Sequence, residues 1–235
     1  MWSIHARSQR SVTVSGETLS LPARLHLLSY DPVRMRPAAT GHQAHLVTAA
    51  ALAELARRGL LRDEGGTARA VPGDRTGDPV LDGLSAVIGA DRPRRWKSWV
   101  THRPAGVLDA VRAQLADAGV LRTRQGLFGR TRYELARADT AATVRERARA
   151  VLTGAVPVAE VSDEDAALVA LATAAELRTF ATGRERRAYR ARIAELTERA
   201  GSAAPALRKV MEEARAAITA AVTASAAAGV MSSGG

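Results

Sequence analysis

Along most of this chain the apolar positions recur at helical spacing, and only a few short windows alternate as strands do. Leu19 to Tyr30 crowds Leu19, Leu21, Leu25, Leu27 and Leu28 into one stretch that fits a buried helix or strand, and Asp31-Pro32 stops a helix from continuing. A basic loop with Arg34 and Arg36 closes at Pro37. The next helix has Leu46, Val47, Ala50, Ala51, Leu52 and Leu55 as apolar positions, with Gly59 placed as a C-terminal cap. Leu60 to Pro72 holds two brief strands around a Glu64-Gly65-Gly66 turn. Asp78 then caps a helix that starts at Pro79 and is expected to bury Val80, Leu81, Leu84, Val87 and Ile88. A basic turn, Arg92 to Arg95, leads into a short helix from Trp96 to Val100.

The unit helix, glycine, strand, turn, strand then recurs about sixty residues on: a helix over Val107 to Asp117, Gly119, the strand Val120-Leu121, a turn at Gln125-Gly126 and a return from Leu127 to Tyr133. Beyond Tyr133 the pattern predicts helices over 139–153, 162–180, 183–200 and 205–228, with Ser162 and Asp165 forming a capping box. The expected fold is mainly α: a helical bundle with surrounding amphipathic helices, short two-stranded hairpins and a protruding basic β-hairpin. A flexible arm over 1–18 precedes a single domain over 19–228, and a flexible end covers 229–235.

Composition narrows this further. Eight aromatics in 235 residues leave the core to Leu, Val, Ile and Ala, which favours close-packed helices. The Ala-rich run from Ala216 onward is too weakly apolar and too short to span a membrane, and Met1 to Gly16 offers no apolar run for a signal peptide. The expectation is a cytoplasmic protein. With no cysteine, disulfides, thiol catalysis and the usual structural zinc sites drop out. Lys97 and Lys209 are the only lysines, so the net charge of +10 is carried by arginine, a bias typical of GC-rich bacterial genomes. Its distribution matters more. From Arg92 to Arg132 ten cations face only Asp109 and Asp117, a field that attracts phosphate on lipid headgroups, nucleic acid or an acidic partner.

Catalytic chemistry has little to stand on. Among the five histidines only His42 and His45 are spaced to share a helical face, Asp78 is explained by capping, and Glu164 and Asp165 suit the macrodipole of a first turn. The reading is a non-enzymatic protein with no catalytic residue, metal or cofactor. Trp96, Trp99 and Phe128 lie among the arginines of the basic segment, as aromatics do where a protein meets lipid headgroups, although Trp96 and Trp99 also fit a core-facing helical edge. A helix followed by a basic two-stranded wing is also how winged-helix domains bind DNA, so a DNA-binding regulator is the alternative. Its would-be recognition helix, from Val107 to Ala118, holds Arg112 as its one cation beside Asp109 and Asp117.

Leu-Ala-Glu-Leu-Ala-Arg-Arg-Gly (52–59), Thr-Gly-Asp-Pro-Val-Leu-Asp (76–82), Trp99 and Leu-Ala-Asp-Ala-Gly-Val-Leu (115–121), in that order and at those separations, resemble the Golgi phosphoprotein 3 family, including its bacterial members. The likeness runs from about Leu19 to Ala200. It implies a mainly helical domain with a central bundle and a protruding hairpin. It also implies peripheral membrane binding through phosphatidylinositol 4-phosphate, which eukaryotic relatives use to retain glycosyltransferases in the Golgi. The eukaryotic lipid-pocket positions hold Ala39, Thr48, Ala105 and Leu108 in this chain. The expected headgroup set is therefore Arg34, Arg36, Thr48, Arg103 and Arg112, with Leu127, Phe128, Arg130 and Arg132 of the hairpin for membrane or oligomer contact. The partners so implied are an anionic membrane lipid such as a phosphoinositide, a second copy of the chain through the hairpin, and a protein cargo, with the protein peripheral on the cytoplasmic membrane face. Nucleic acid is the lesser partner.

Overall fold

The leucine-rich window that fits either a helix or a strand is a helix, α1 (Leu21–Leu28). Pro22 suits its first turn, where an amide donor is not needed, and the Glu54 carboxylate from a neighbouring helix accepts the Leu21 N–H. The computed structural model describes residues 13–14, 17–38, 42–73, 75–102, 104–125, 131–202, 208–210, 212–213, 216 and 219–220. Within the segment expected as an arm, β1 (Thr13–Val14) and β2 (Glu17–Thr18) pair antiparallel.

The central element is α2 (Gln43–Arg57), buried on every side from Leu46 through Ala56. Ala49, Ala50, Ala51, Ala53 and Ala56 present so little bulk that neighbours pack against it from several directions, and a helix apolar all round belongs inside. The next strands are β3 (Leu61–Glu64) and β4 (Thr67–Ala70), joined by Gly65 and Gly66, both with positive φ as this two-residue turn requires. α3 (Pro79–Ala90) follows, capped by Asp78 Oδ1 at 2.9 Å from the Val80 N–H. β5 (Arg94–Arg95) adds a third strand to β4, where the sequence pattern shows only a turn. A strand of two residues whose partner lies far away leaves no periodicity to read. α4 (Trp96–Thr101) and α5 (Pro104–Asp117) complete the layer around α2, and the hairpin β6 (Leu121–Gln125) and β7 (Thr131–Leu135) follows in five-pair register. Gln125 belongs to this ladder, opposite Thr131, and not to a turn.

The repeat seen in the sequence is a repeat of hydrogen bonds. Gly59 N–H donates to Ala56 O and Leu60 N–H to Leu55 O; Gly119 N–H donates to Ala116 O and Val120 N–H to Leu115 O. Both glycines are left-handed, with φ of 74° and 69°, so α2 and α5 end in the same motif and launch their hairpins alike.

Four expectations are corrected in the helical parts. Val87 is 51% exposed because it falls at the edge of the α3 stripe that buries Val80, Leu81 and Ile88; it borders an apolar cavity with Trp99 and His102. After α6 (Ala138–Thr153), α7 (Asp163–Ala174) stops six residues short of Phe180. Leu177 N–H and Glu176 N–H close onto Ala172 O and Thr173 O, with Glu176 at φ 52° in the place where a glycine would have flagged the end. The predicted helix over 183–200 breaks at Tyr189 into α8 (Gly183–Ala188) and α9 (Arg190–Ser202). Half of the predicted capping box forms: Ser162 Oγ accepts the Asp165 N–H, while the Asp165 carboxylate turns to Arg24 and Arg147.

That last contact belongs to a buried ion network. Arg24, 4% exposed, bridges Asp165 and Glu164; Arg147 also holds Asp165, and Arg57 links Glu164 to Glu54. Helices α1, α2, α6 and α7 are thereby tied together. Burial opposes the Asp165 charge, but Arg24 and then Arg147 more than offset it and hold this carboxyl below its ordinary range. Other arginines of the C-terminal half donate to backbone carbonyls: Arg145 to Tyr30 O, Arg149 to Phe180 O, Arg192 to Val151 O and Arg199 to Val161 O. Much of the arginine content thus serves the fold.

Candidate functional site

The segment after α1 is a tightly hydrogen-bonded loop. Asp31 Oδ1 accepts the N–H groups of Val33 (2.8 Å) and Arg34 (2.9 Å), Asp31 N–H donates to Arg36 O, and Met35 N–H donates to Asp31 O. Tyr30 bridges Pro37, and the Leu135 N–H of β7 donates to Met35 O, so the loop is pinned to the base of the hairpin. Where loop, hairpin and α5 meet there is a cleft of about 320 Å³ lined by Arg36, Pro37, Arg112, Thr131, Arg132, Tyr133 and Glu134.

Arg36 and Arg112 of the expected headgroup set, and Arg132, expected in the hairpin's membrane or oligomer contact, converge there from three separate elements. Arg112 is half-buried, its guanidinium 5.4 Å over the Tyr133 ring. It donates to Gln43 Oε1 at 3.4 Å, touches exposed Asp109 at the same distance, and its buried Nε has no hydrogen-bond partner among the described residues. Behind it lies a polar cluster inside the core. Gln43 Nε2 donates to Ser29 Oγ and lies 3.2 Å from His26 Nδ1. Burial first, and the Arg112 charge second, push His26 down to about 3, so this imidazole stays neutral at physiological pH. Burial likewise raises the Tyr30 phenol. The acid of the cleft is already engaged, since Glu134 Oε2 accepts from Arg122 at 3.1 Å and Arg124 at 3.0 Å. Arg36 and Arg132 are exposed and form no ion pair among the described residues. The arrangement offers guanidinium donors to an anion, the fork geometry that suits phosphate.

The remaining predicted residues divide three ways. Arg34 is exposed on the loop, beside the cleft but not in its wall. Thr48 is fully buried in α2, its hydroxyl donating to Ala44 O at 2.9 Å, and cannot meet a headgroup. Arg103, Leu127, Phe128 and Arg130, like Ala39, lie outside the described residues. Leu108 packs in the core, whereas Ala105 is exposed.

Trp96 and Trp99 are buried and so form no lipid-facing edge; they take the core-facing alternative. Trp96 Nε1 donates to Asp63 at 2.5 Å, and Arg94 stacks over Trp99 while pairing with Asp91. The basic segment is therefore partly neutralised: Arg94, Arg112, Arg122 and Arg124 are in ion pairs, while Arg92, Arg95 and Lys97 are exposed without one among the described residues. The exposed face of α5 carries Asp109, Ala110, Ala113 and Asp117 and no cation, a poor match to a DNA groove. Gln43 and Glu134, which orient and neutralise, escape sequence reading because both act on partners far along the chain.

His42 Nε2 contacts Ala175 O, and no group of three or more His, Asp or Glu among the described residues is placed to hold a metal. Asp78 and Asp82 are occupied by the amides of Val80 and Thr76. No helix among the described residues is long and apolar enough to cross a membrane. No curated protein matches the sequence. Residues 21–214, most of the chain, match the family described as Golgi phosphoprotein 3 (GPP34). The leucine-rich helix ends, the Asp78 cap, the paired glycine turns and the basic hairpin are thus those of a family member: the chain belongs to the Golgi phosphoprotein 3 family.

Proposed function

We propose that this protein is a non-catalytic peripheral membrane adaptor that binds anionic phospholipid headgroups, phosphatidylinositol 4-phosphate by family resemblance, on the cytoplasmic membrane face. The observation that carries the reading is the convergence of Arg36, Arg112 and Arg132 on one cleft whose only carboxylate among the described residues, Glu134, is already paired. The buried Arg112 Nε, lacking an acceptor among the described residues, supports an anion as the missing partner. A phosphate monoester brings several acceptor oxygens to such a site.

Co-sedimentation with phosphatidylcholine vesicles, with and without anionic lipid at low salt, tests this. Binding is expected only with anionic lipid and should weaken as salt rises. Each basic residue near an anionic surface contributes about 1 kcal/mol, so Arg36→Glu/Arg132→Glu should weaken binding at least about thirtyfold. Absence of binding at low salt, or binding unchanged in that variant, would refute the reading.

A further inference from the structure

The loop beside the cleft carries a feature that headgroup binding does not use. Val33 is 88% exposed, the most open large apolar side chain among the described residues, and Pro32 and Arg34 on either side are exposed as well. An open valine on a slack loop would mean little. This loop is not slack: the Asp31 carboxylate ties down two amides of the turn, and Met35 holds a left-handed φ of 55°, a conformation strained for any residue with a side chain. Met35 is kept there because its side chain packs on the core and its carbonyl is bonded to Leu135 of the hairpin. The fold therefore holds an apolar tip out in solvent, followed by Arg34 and Arg36, neither of which forms an ion pair among the described residues.

We propose that the Pro32-Val33 turn is a membrane-insertion tip, entering the interfacial zone of an anionic bilayer while Arg34 and Arg36 engage the phosphate layer. This rests on the headgroup reading above and adds the point of entry. Charge complementarity selects the occupant. A valine followed by two guanidiniums that form no ion pair among the described residues, with the Asp31 carboxylate on its other side turned onto the amides of Val33 and Arg34, matches the boundary between phosphates and acyl chains, whereas an apolar protein groove would have to desolvate those charges.

Because the chain has no cysteine, Val33→Cys labelled with an environment-sensitive nitrobenzoxadiazole dye reports from one site. Its emission should shift to the blue and rise severalfold with vesicles of phosphatidylcholine and phosphatidylserine, and stay unchanged with phosphatidylcholine alone. The same dye on Thr153→Cys, exposed at the end of α6 and about 22 Å along that helix from the hairpin end, should remain water-like. Val33→Asp should weaken vesicle binding about tenfold with unchanged urea unfolding. If the unmodified protein fails to co-sediment, the headgroup reading falls and the tip with it. If it co-sediments while the Val33 label stays water-like and Val33→Asp binds normally, the tip alone is overturned. A blue shift without vesicles that grows with protein concentration would assign the turn to a second copy and also overturn the proposal.

Discussion

Arg24→Met tests whether the buried ion network holds the helices together. Arg24 is 4% exposed and neutralises Asp165, 7% exposed, and Glu164, 23% exposed. Methionine fills most of the arginine stem volume, so the loss is largely electrostatic. Breaking one partner out of a buried pair costs about 3–5 kcal/mol. Here Asp165 keeps Arg147 at 2.7 Å and Glu164 keeps Arg57 at 3.7 Å, which places the expected cost at the low end, about 3 kcal/mol. With a urea m-value of about 2–3 kcal/mol/M, the midpoint should fall by about 1–1.5 M. The pH dependence supplies a sign. Asp165 is held below the ordinary carboxylate range in the folded protein, so the unfolded chain binds the proton first as pH falls. The stability that Asp165 contributes is complete above about pH 4 and is lost as pH drops through the folded value. The gap between Arg24→Met and the parent protein should therefore be full at pH 7 and narrow below about pH 4. Urea unfolding at both pH values checks this. A midpoint shift under about 0.3 M at pH 7, or a gap just as wide in acid, would refute the reasoning.

Two further outcomes follow from the site and the fold. Gln43→Glu places a carboxylate against Arg112 in place of the amide oxygen at 3.4 Å, so vesicle binding should weaken about fivefold, the worth of one cation, while circular dichroism stays unchanged; undiminished binding would remove Arg112 from the site. Gly119→Ala meets no atom within 4 Å but must hold φ at 69°; it should cost about 1–2 kcal/mol by urea unfolding, and a neutral effect would mean that the α5 terminus does not need its left-handed residue.

The motifs that carry the family resemblance prove to be architectural. Glu54 of the 52–59 stretch caps α1, Asp78 caps α3, Asp82 holds Thr76, and Gly119 ends α5. Caps, turns and helical stripes are legible because their physics acts within a few residues of the chain. Where α7 gives way to a left-handed Glu176 just past its end, or the predicted helix breaks at Tyr189, no glycine or proline marks the place and the pattern runs on. The arginines of the site are legible as charges: Arg36 and Arg112 belong to the expected headgroup set and Arg132 to the hairpin's expected membrane or oligomer contact. Which of their companions would be silenced was not: Trp96 and Trp99 went inside, Thr48 vanished into the centre, and Arg94, Arg122 and Arg124 found carboxylates.

Sequence by itself therefore determined the helical class, the doubled helix-and-hairpin unit, the excess of positive charge and the lack of cysteine chemistry, all of which follow from residue type and short-range spacing. Tertiary structure alone decided that a loop after α1, one turn of α5 and one strand of the hairpin close around a single cleft, and that Val33 stands out beside it. The reason is that a guanidinium's worth depends on the nearest carboxylate and the nearest water, and in this fold both are set by residues tens of positions away.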